Sequence, residues 1–133
     1  MSMDPTAVTE RYKDTLGDLL GIRIVEATKE RVVAELDVRQ NLTTVGGSLH
    51  GGTLMAFADT LGATATMLNV PDGAGTTTIE SKTNFFAGCR EGVVRAESTP
   101  LHRGKRTQVW QTRVTDQSGR LLSLTIQTQM VLM

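Results

Sequence analysis

The sequence predicts an α+β domain in which one long buried helix packs on a mainly antiparallel sheet. Three observations lead there. Leu54, Ala58, Leu61, Ala65 and Leu68 recur at spacings of four and three, and the other faces hold Ala56, Phe57, Gly62 and Ala63, so the helix is small or apolar nearly all round and must be buried. From residue 76 onward the chain is β-rich, with short turns and no crossover helix between strands. The chain of 133 residues has no internal repeat, low-complexity run or linker, which suits one domain over 1–133.

In order along the chain, Val8, Tyr12, Leu16, Leu19 and Leu20 predict an amphipathic helix over 8–20, stopped by Gly21. Residues 22–28 and 31–38 read as a hairpin. In its second strand Val32, Ala34, Leu36 and Val38 alternate with Arg31, Glu35 and Asp37, with Val33 the exception. Residues 39–47 are polar and contain glycine, hence a loop, and the buried helix follows over 49–68. The run from Asn69 through Pro71, Asp72 and Gly73 to Gly75 ends it in a turn. Strands are expected near 76–86, 92–101, 107–116 and 121–132, with hairpin turns around Gly104 and at Ser118-Gly119.

Composition narrows the function. Lys plus Arg and Asp plus Glu are 14 each, which argues against a general nucleic-acid binder. A hydrophobic share of 39% and a charged share of 21% are far from disorder. The longest apolar runs are far short of the ~20 residues of a membrane helix, and residues 1–10 carry no signal-peptide pattern, so no membrane partner is expected. A single cysteine, Cys89, excludes an intrachain disulfide and suits a reducing, cytoplasmic setting. His50 and His102 sit in no metal-ligand spacing, so no metal site is expected. With aromatic residues at only 4%, oligomerisation is the expected route to further burial.

One region carries chemistry. Between Arg39 and Glu80 the charged side chains are Asp59 and Asp72 alone, and Asp59 falls in the middle of the buried helix. A carboxylate there is either on a solvent-facing edge, or paired, hydrogen-bonded or functional. Upstream lies Gly46-Gly47-Ser48-Leu49-His50-Gly51-Gly52-Thr53, in which Ser48 or His50 can cap the helix. Free N–H groups of a first turn make an anion site and, in acyl chemistry, an oxyanion hole; otherwise the loop merely starts the helix. On one helix, Gly51 and Asp59 stand roughly 12 Å apart. A carbonyl held at the Gly51 amide is then out of reach of the same chain's Asp59. If both act, they act across two chains, which predicts a homodimer with two shared sites.

The stretch from His50 to Gly62, His-Gly-Gly-Thr-Leu-Met-Ala-Phe-Ala-Asp-Thr-Leu-Gly, resembles the His-Gly-Gly…Ala-Asp…Gly signature of hotdog-fold acyl-CoA thioesterases, of the phenylacetate-degradation and hydroxybenzoyl-CoA types. Arg90-Glu91-Gly92, Pro100 to Gly104 and Gln108-Val109-Trp110 resemble the matching strands of the hydroxybenzoyl-like subgroup. The resemblance implies a hotdog fold, a long central helix wrapped by a curved antiparallel sheet. It also implies dimers that often pair into homotetramers, and hydrolysis of an acyl-CoA substrate without a separate cofactor, coenzyme A being part of the substrate. Gly51 matches the glycine whose amide polarises the thioester, His50 the histidine beside it, and Asp59 the acidic catalyst, as nucleophile or general base. Thr44 stands where the family commonly has Asn or Gln, Phe85 where some relatives carry a polar residue, and Thr77 near a Ser or Thr that orients water.

The run His102-Arg103-Gly104-Lys105-Arg106 is a basic hairpin tip, either a solvated turn or, with Arg90, a contact for the CoA phosphates through Arg103, Lys105 and Arg106. The competing functions are a hotdog dehydratase or hydratase and a non-catalytic acyl-CoA-binding member. Asp59 and the absence of a hydratase-type His–Asp spacing favour hydrolysis.

Overall fold

A computed structural model describes residues 2–133. The apolar stripe becomes helix α3, Gly51–Met67, the long helix of the chain. Before it come α1 (Pro5–Glu10), α2 (Leu16–Leu20), β1 (Arg23–Ala27) and β2 (Val32–Asp37), and after it β3 (Gly75–Phe85), β4 (Val93–Arg103), β5 (Thr107–Thr115) and β6 (Leu121–Leu132). The strands form one six-stranded sheet in the order β1-β2-β4-β5-β6-β3, every neighbour antiparallel. This is the α+β architecture expected from the sequence. No helix among the described residues is long and apolar enough to cross a membrane.

The core lies between α3 and the sheet. Leu54, Phe57 and Leu61 of α3 join Leu36, Val94, Ala96, Trp110 and Val114 from the strands, all buried. Trp110 is fully enclosed, and its indole Nε1 donates to Gln108 Oε1 at 2.9 Å, so its polar edge is satisfied as burial demands. The inner face of β6 is unusual. Thr125, Gln127 and Gln129 are buried there, while Ile126 and Met130 face outward.

The expected helix over 8–20 is two short helices. The first ends at Glu10, a turn over 11–14 follows in which Asp14 takes a left-handed φ of 64°, and Thr15 opens the next helix. The break changes the packing that the periodicity implied. Val8 and Leu20 enter the core, whereas Leu16 and Leu19 are exposed. Tyr12, at the break, turns its hydroxyl to Thr64 of α3 at 2.6 Å; Thr64 spends its own hydrogen on Thr60 O, so Tyr12 donates. Gly17 lies against the Tyr12 ring, where a methyl group would crowd it. Gly21 closes α2 in the left-handed conformation expected of a stop, with φ 77°.

Candidate active site

The N-terminus of α3 is fixed by the glycine-rich loop. Thr43 and Leu49 form an isolated bridge, and Leu49 N donates to Cys89 O at 2.7 Å, so the loop is held against the segment before β4. His50 is the N-cap: its φ of −65° and ψ of 137° lie outside the helical region, and its Nδ1 accepts from Gly52 N at 2.7 Å. Gly52 is needed for this, since a Cβ would come within 3.0 Å of that nitrogen. The Thr53 and Leu54 amides donate to His50 O. Of the first-turn amides, only Gly51 N–H finds no acceptor among the described residues. Beside it lies the Phe85 ring, against which a side chain at position 51 would press at 3.3 Å.

Asp59 sits two turns further along the same helix, half-buried. Its Oδ1 accepts from Thr78 Oγ1 at 2.7 Å and from Gln127 Nε2 at 3.1 Å. Its Oδ2 has no partner among the described residues and is not a buried orphan, so it is open to solvent. Asp59 lines a largely apolar cavity of about 800 Å³, walled by Val8 and Tyr12, by Ala63, Thr64 and Met67 of α3, and by the turn after the helix. Lys29 and Arg11 also line it. Burial, partly opposed by the Thr64 hydrogen bond and the Arg11 charge, holds the Tyr12 phenol above its usual 10.0. Neither His50 nor Gly51 lines this cavity, so one chain does not bring the two ends of the motif together.

The other sequence-derived candidates divide. Thr44 is in the loop before His50, where its Oγ1 accepts from Gly46 N at 3.2 Å and its side chain is exposed. Thr77 occupies an exposed position of β3 and does not face Asp59; the hydroxyl that reaches the carboxylate belongs to Thr78, one residue on. Arg90 donates to Gly46 O at 2.6 Å and so braces the loop at the start of α3. Arg103 is tied to Lys29 O, Glu30 Oε1 and Asn69 Oδ1 at 3.1 to 3.4 Å, beyond the other end of α3. Arg90 and the hairpin tip therefore lie at opposite ends of the helix, a correction to their expected grouping within one chain. Lys105 and Arg106 are exposed at the tip, with no side-chain partner among the described residues.

Gln127, Gln129 and Thr78 were not singled out by the sequence. The signal available was a strand reading Leu-Thr-Ile-Gln-Thr-Gln-Met, whose polar half would ordinarily be assigned to solvent. Gly62 was part of the motif, and the structure gives its reason: a methyl group there would overlap the Gln127 carboxamide.

A family model described as the thioesterase superfamily matches residues 46–123. The chain is similar to the 1,4-dihydroxy-2-naphthoyl-CoA hydrolase of Listeria monocytogenes, with 29% identity over 82% of this chain and 89% of that one. A relative in Vibrio cholerae, an esterase by name only, is 35% identical over 84% of this chain and 75% of its own. Among solved structures, a variant thioesterase of Pseudomonas aeruginosa superposes with a TM-score of 0.95 at 29% identity, covering 99% of this chain and 96% of that one.

Proposed function

The chain belongs to the thioesterase superfamily, a thioesterase-type hydrolase of the hotdog fold, and from that premise we propose that it hydrolyses an acyl-CoA thioester at sites shared between two copies. The observation that carries this reading is that α3 leaves unpaired the Gly51 N–H at its start and Asp59 Oδ2 near its middle. The first is suited to polarising a carbonyl, the second to attacking it or to deprotonating water. Standing roughly 12 Å apart on one helix, they serve one carbonyl only when a second copy lays its α3 antiparallel to the first.

Support for such pairing comes from the helix face that carries Asp59. Ala56, Thr60 and Ala63 are small and half-buried there, and Met55 and Met67 are exposed toward its two ends. A second helix can approach closely over small residues. The hydrolase name of the Listeria relative, a CoA thioester by its own words, favours a CoA thioester here too. The acyl group then lies in the cavity beside Asp59, and the exposed Lys105 and Arg106 at the hairpin tip are cations for the CoA phosphates.

In the reaction, the Gly51 amide of one copy stabilises negative charge developing on the thioester oxygen. Asp59 Oδ2 of the other either takes a proton from a water whose oxygen bonds to the acyl carbon, or bonds to that carbon itself to give a mixed anhydride that water then hydrolyses. In both routes the C–S bond breaks, CoA leaves as thiolate and takes up the proton lost by the water, and the acyl group leaves as the free acid. The test is Asp59→Asn, assayed by thiol release from a panel of aromatic, short-chain and medium-chain acyl-CoAs. The variant should keep its far-UV spectrum and lose about 10²–10⁴-fold in turnover. Retention of more than a tenth of wild-type turnover removes Asp59 from the chemistry, and a wild-type protein that releases no thiol from any member of the panel removes the activity itself.

A further inference from the structure

We propose that Gln127 is a positioning residue for Asp59, and that Gly62 is glycine so that Gln127 can reach it. The inference rests on the catalytic role given to Asp59 above. Three observations carry it.

The first is convergence. Asp59 Oδ1 receives two donors from two different strands, Thr78 of β3 and Gln127 of β6, while Oδ2 receives none. Thr78 is itself held: Gln129 Nε2 donates to its Oγ1, and Thr76 Oγ1 donates to Gln129 Oε1 at 2.8 Å. A carboxylate bound on one oxygen alone is locked about its last torsion, and the other oxygen is aimed. A near-attack geometry needs this, because a misplacement of about 1 Å costs about a hundredfold.

The second is cost. Gln127 is fully buried and its Oε1 has no hydrogen-bond partner among the described residues. An unpaired buried acceptor is destabilising, so packing alone favours an apolar residue at this place. The amide nitrogen on Asp59 is what the amide gains there. A primary amide is also neutral across the working pH range, so the support does not titrate with the group it supports.

The third is clearance. Gly62 stands one turn after Asp59 on α3, and a methyl group on it would overlap all three atoms of the Gln127 carboxamide. Helix interiors disfavour glycine relative to alanine, because glycine gives up more backbone freedom. The helix accepts that cost at the position that admits the glutamine.

The experiment separates packing from positioning with four proteins: wild type, Gly62→Ala, Gln127→Ala and the double variant. Melting temperature, kcat and KM are measured on whichever acyl-CoA of the panel the wild type turns over, with Asp59→Asn as a control. Gly62→Ala alone should lower both stability and kcat, because the methyl group expels the carboxamide. Gln127→Ala should lower kcat about tenfold to a hundredfold, the loss expected for one hydrogen bond to a charged group, with KM within about twofold. The double variant carries the discriminating result. Its new methyl group enters the space the glutamine vacates, so stability recovers relative to Gly62→Ala, while kcat stays as low as in Gln127→Ala. Recovery of kcat together with stability would overturn the proposal, as would wild-type kcat in Gln127→Ala. If instead Asp59→Asn is itself active, it is the catalytic reading of Asp59 that fails.

Discussion

Shared sites make a quantitative prediction when two inactive variants are mixed. One is Asp59→Asn; the other is Gly51→Pro. Proline removes the one first-turn amide that has no acceptor among the described residues, so no hydrogen bond seen there is lost. It is tolerated at a first helical position, and His50 before it already has the extended ψ of 137° that proline requires of its predecessor. Its Cβ would stand 3.3 Å from the Phe85 ring, a contact that the half-exposed Phe85 can relieve by a small shift. Losing an oxyanion donor costs about 10²–10³-fold and losing the acid–base group about 10²–10⁴-fold, so each homodimer should work at about one per cent of wild type or less. Unfolding the two together and refolding at equal amounts gives about half heterodimer by random pairing. Each heterodimer holds one doubly broken site and one intact site, so activity per chain rises to roughly a quarter of wild type, at least about twenty-fold above either parent. Thiol release before and after co-refolding reads the result, with the two variants refolded separately as controls and differently tagged chains reporting exchange. Exchange without recovered activity refutes the cross-chain arrangement.

Other outcomes follow from the same geometry. Replacing His50 by Ala removes the side-chain cap on Gly52 N and should cost about 0.5–2 kcal/mol in a chemical-denaturation curve, whereas His50→Asn, a strong N-cap, should restore most of that stability. Tyr12 has a phenol raised above 10.0 in the folded protein, so the unfolded chain loses this proton first. Stability is then fully present below pH 10 and falls as the pH rises through the folded value, and Tyr12→Phe should flatten that fall in melts between pH 9 and 11. At the hairpin tip, Lys105→Ala and Arg106→Ala should raise KM for the acyl-CoA, more at low salt than at high, with kcat unchanged. Arg103→Ala should instead show first as a lowered melting temperature, because its guanidinium ties the β4 end to Lys29, Glu30 and Asn69.

The parts of this fold legible in the sequence were those where hydrophobicity and geometry agree. Leu54, Leu61 and Ala65 announce α3 because the helix is buried against a sheet, and Val32, Ala34 and Leu36 announce β2 by alternation. Gly21 announces a stop because left-handed backbone suits it. Where two faces compete, periodicity misleads. The first helix ends at Glu10, and the turn after it passes through Asp14, a residue that tolerates positive φ but carries no obligatory signal for it. Thr76, Thr77 and Thr78 are chemically equivalent to a reader of sequence; which one meets Asp59 depends on how β3 is set against α3, and β3 also carries a register shift between Thr78 and Glu80. The inner face of β6 was invisible for a deeper reason. Sequence reading assigns Gln127 and Gln129 to water, and only the carboxylate and hydroxyl waiting across the gap reverse that assignment. The motif from His50 to Asp59 stood out; the support beneath Asp59 did not.

The inverted polarity of β6 bears on how this protein can change. Natural and laboratory selection for robustness rewards filling the interior with carbon, and Gln127, with its orphaned oxygen, is an obvious target. A Gln127→Leu or Gln127→Met protein should melt later. A library ranked by heat resistance will therefore enrich apolar residues at 127, and if the glutamine aims the carboxylate, the best-ranked members will be the slowest. Thermal screening and turnover screening should diverge at this position, while agreeing at enclosed apolar sites such as Leu36 or Val94, where nothing but packing is at stake.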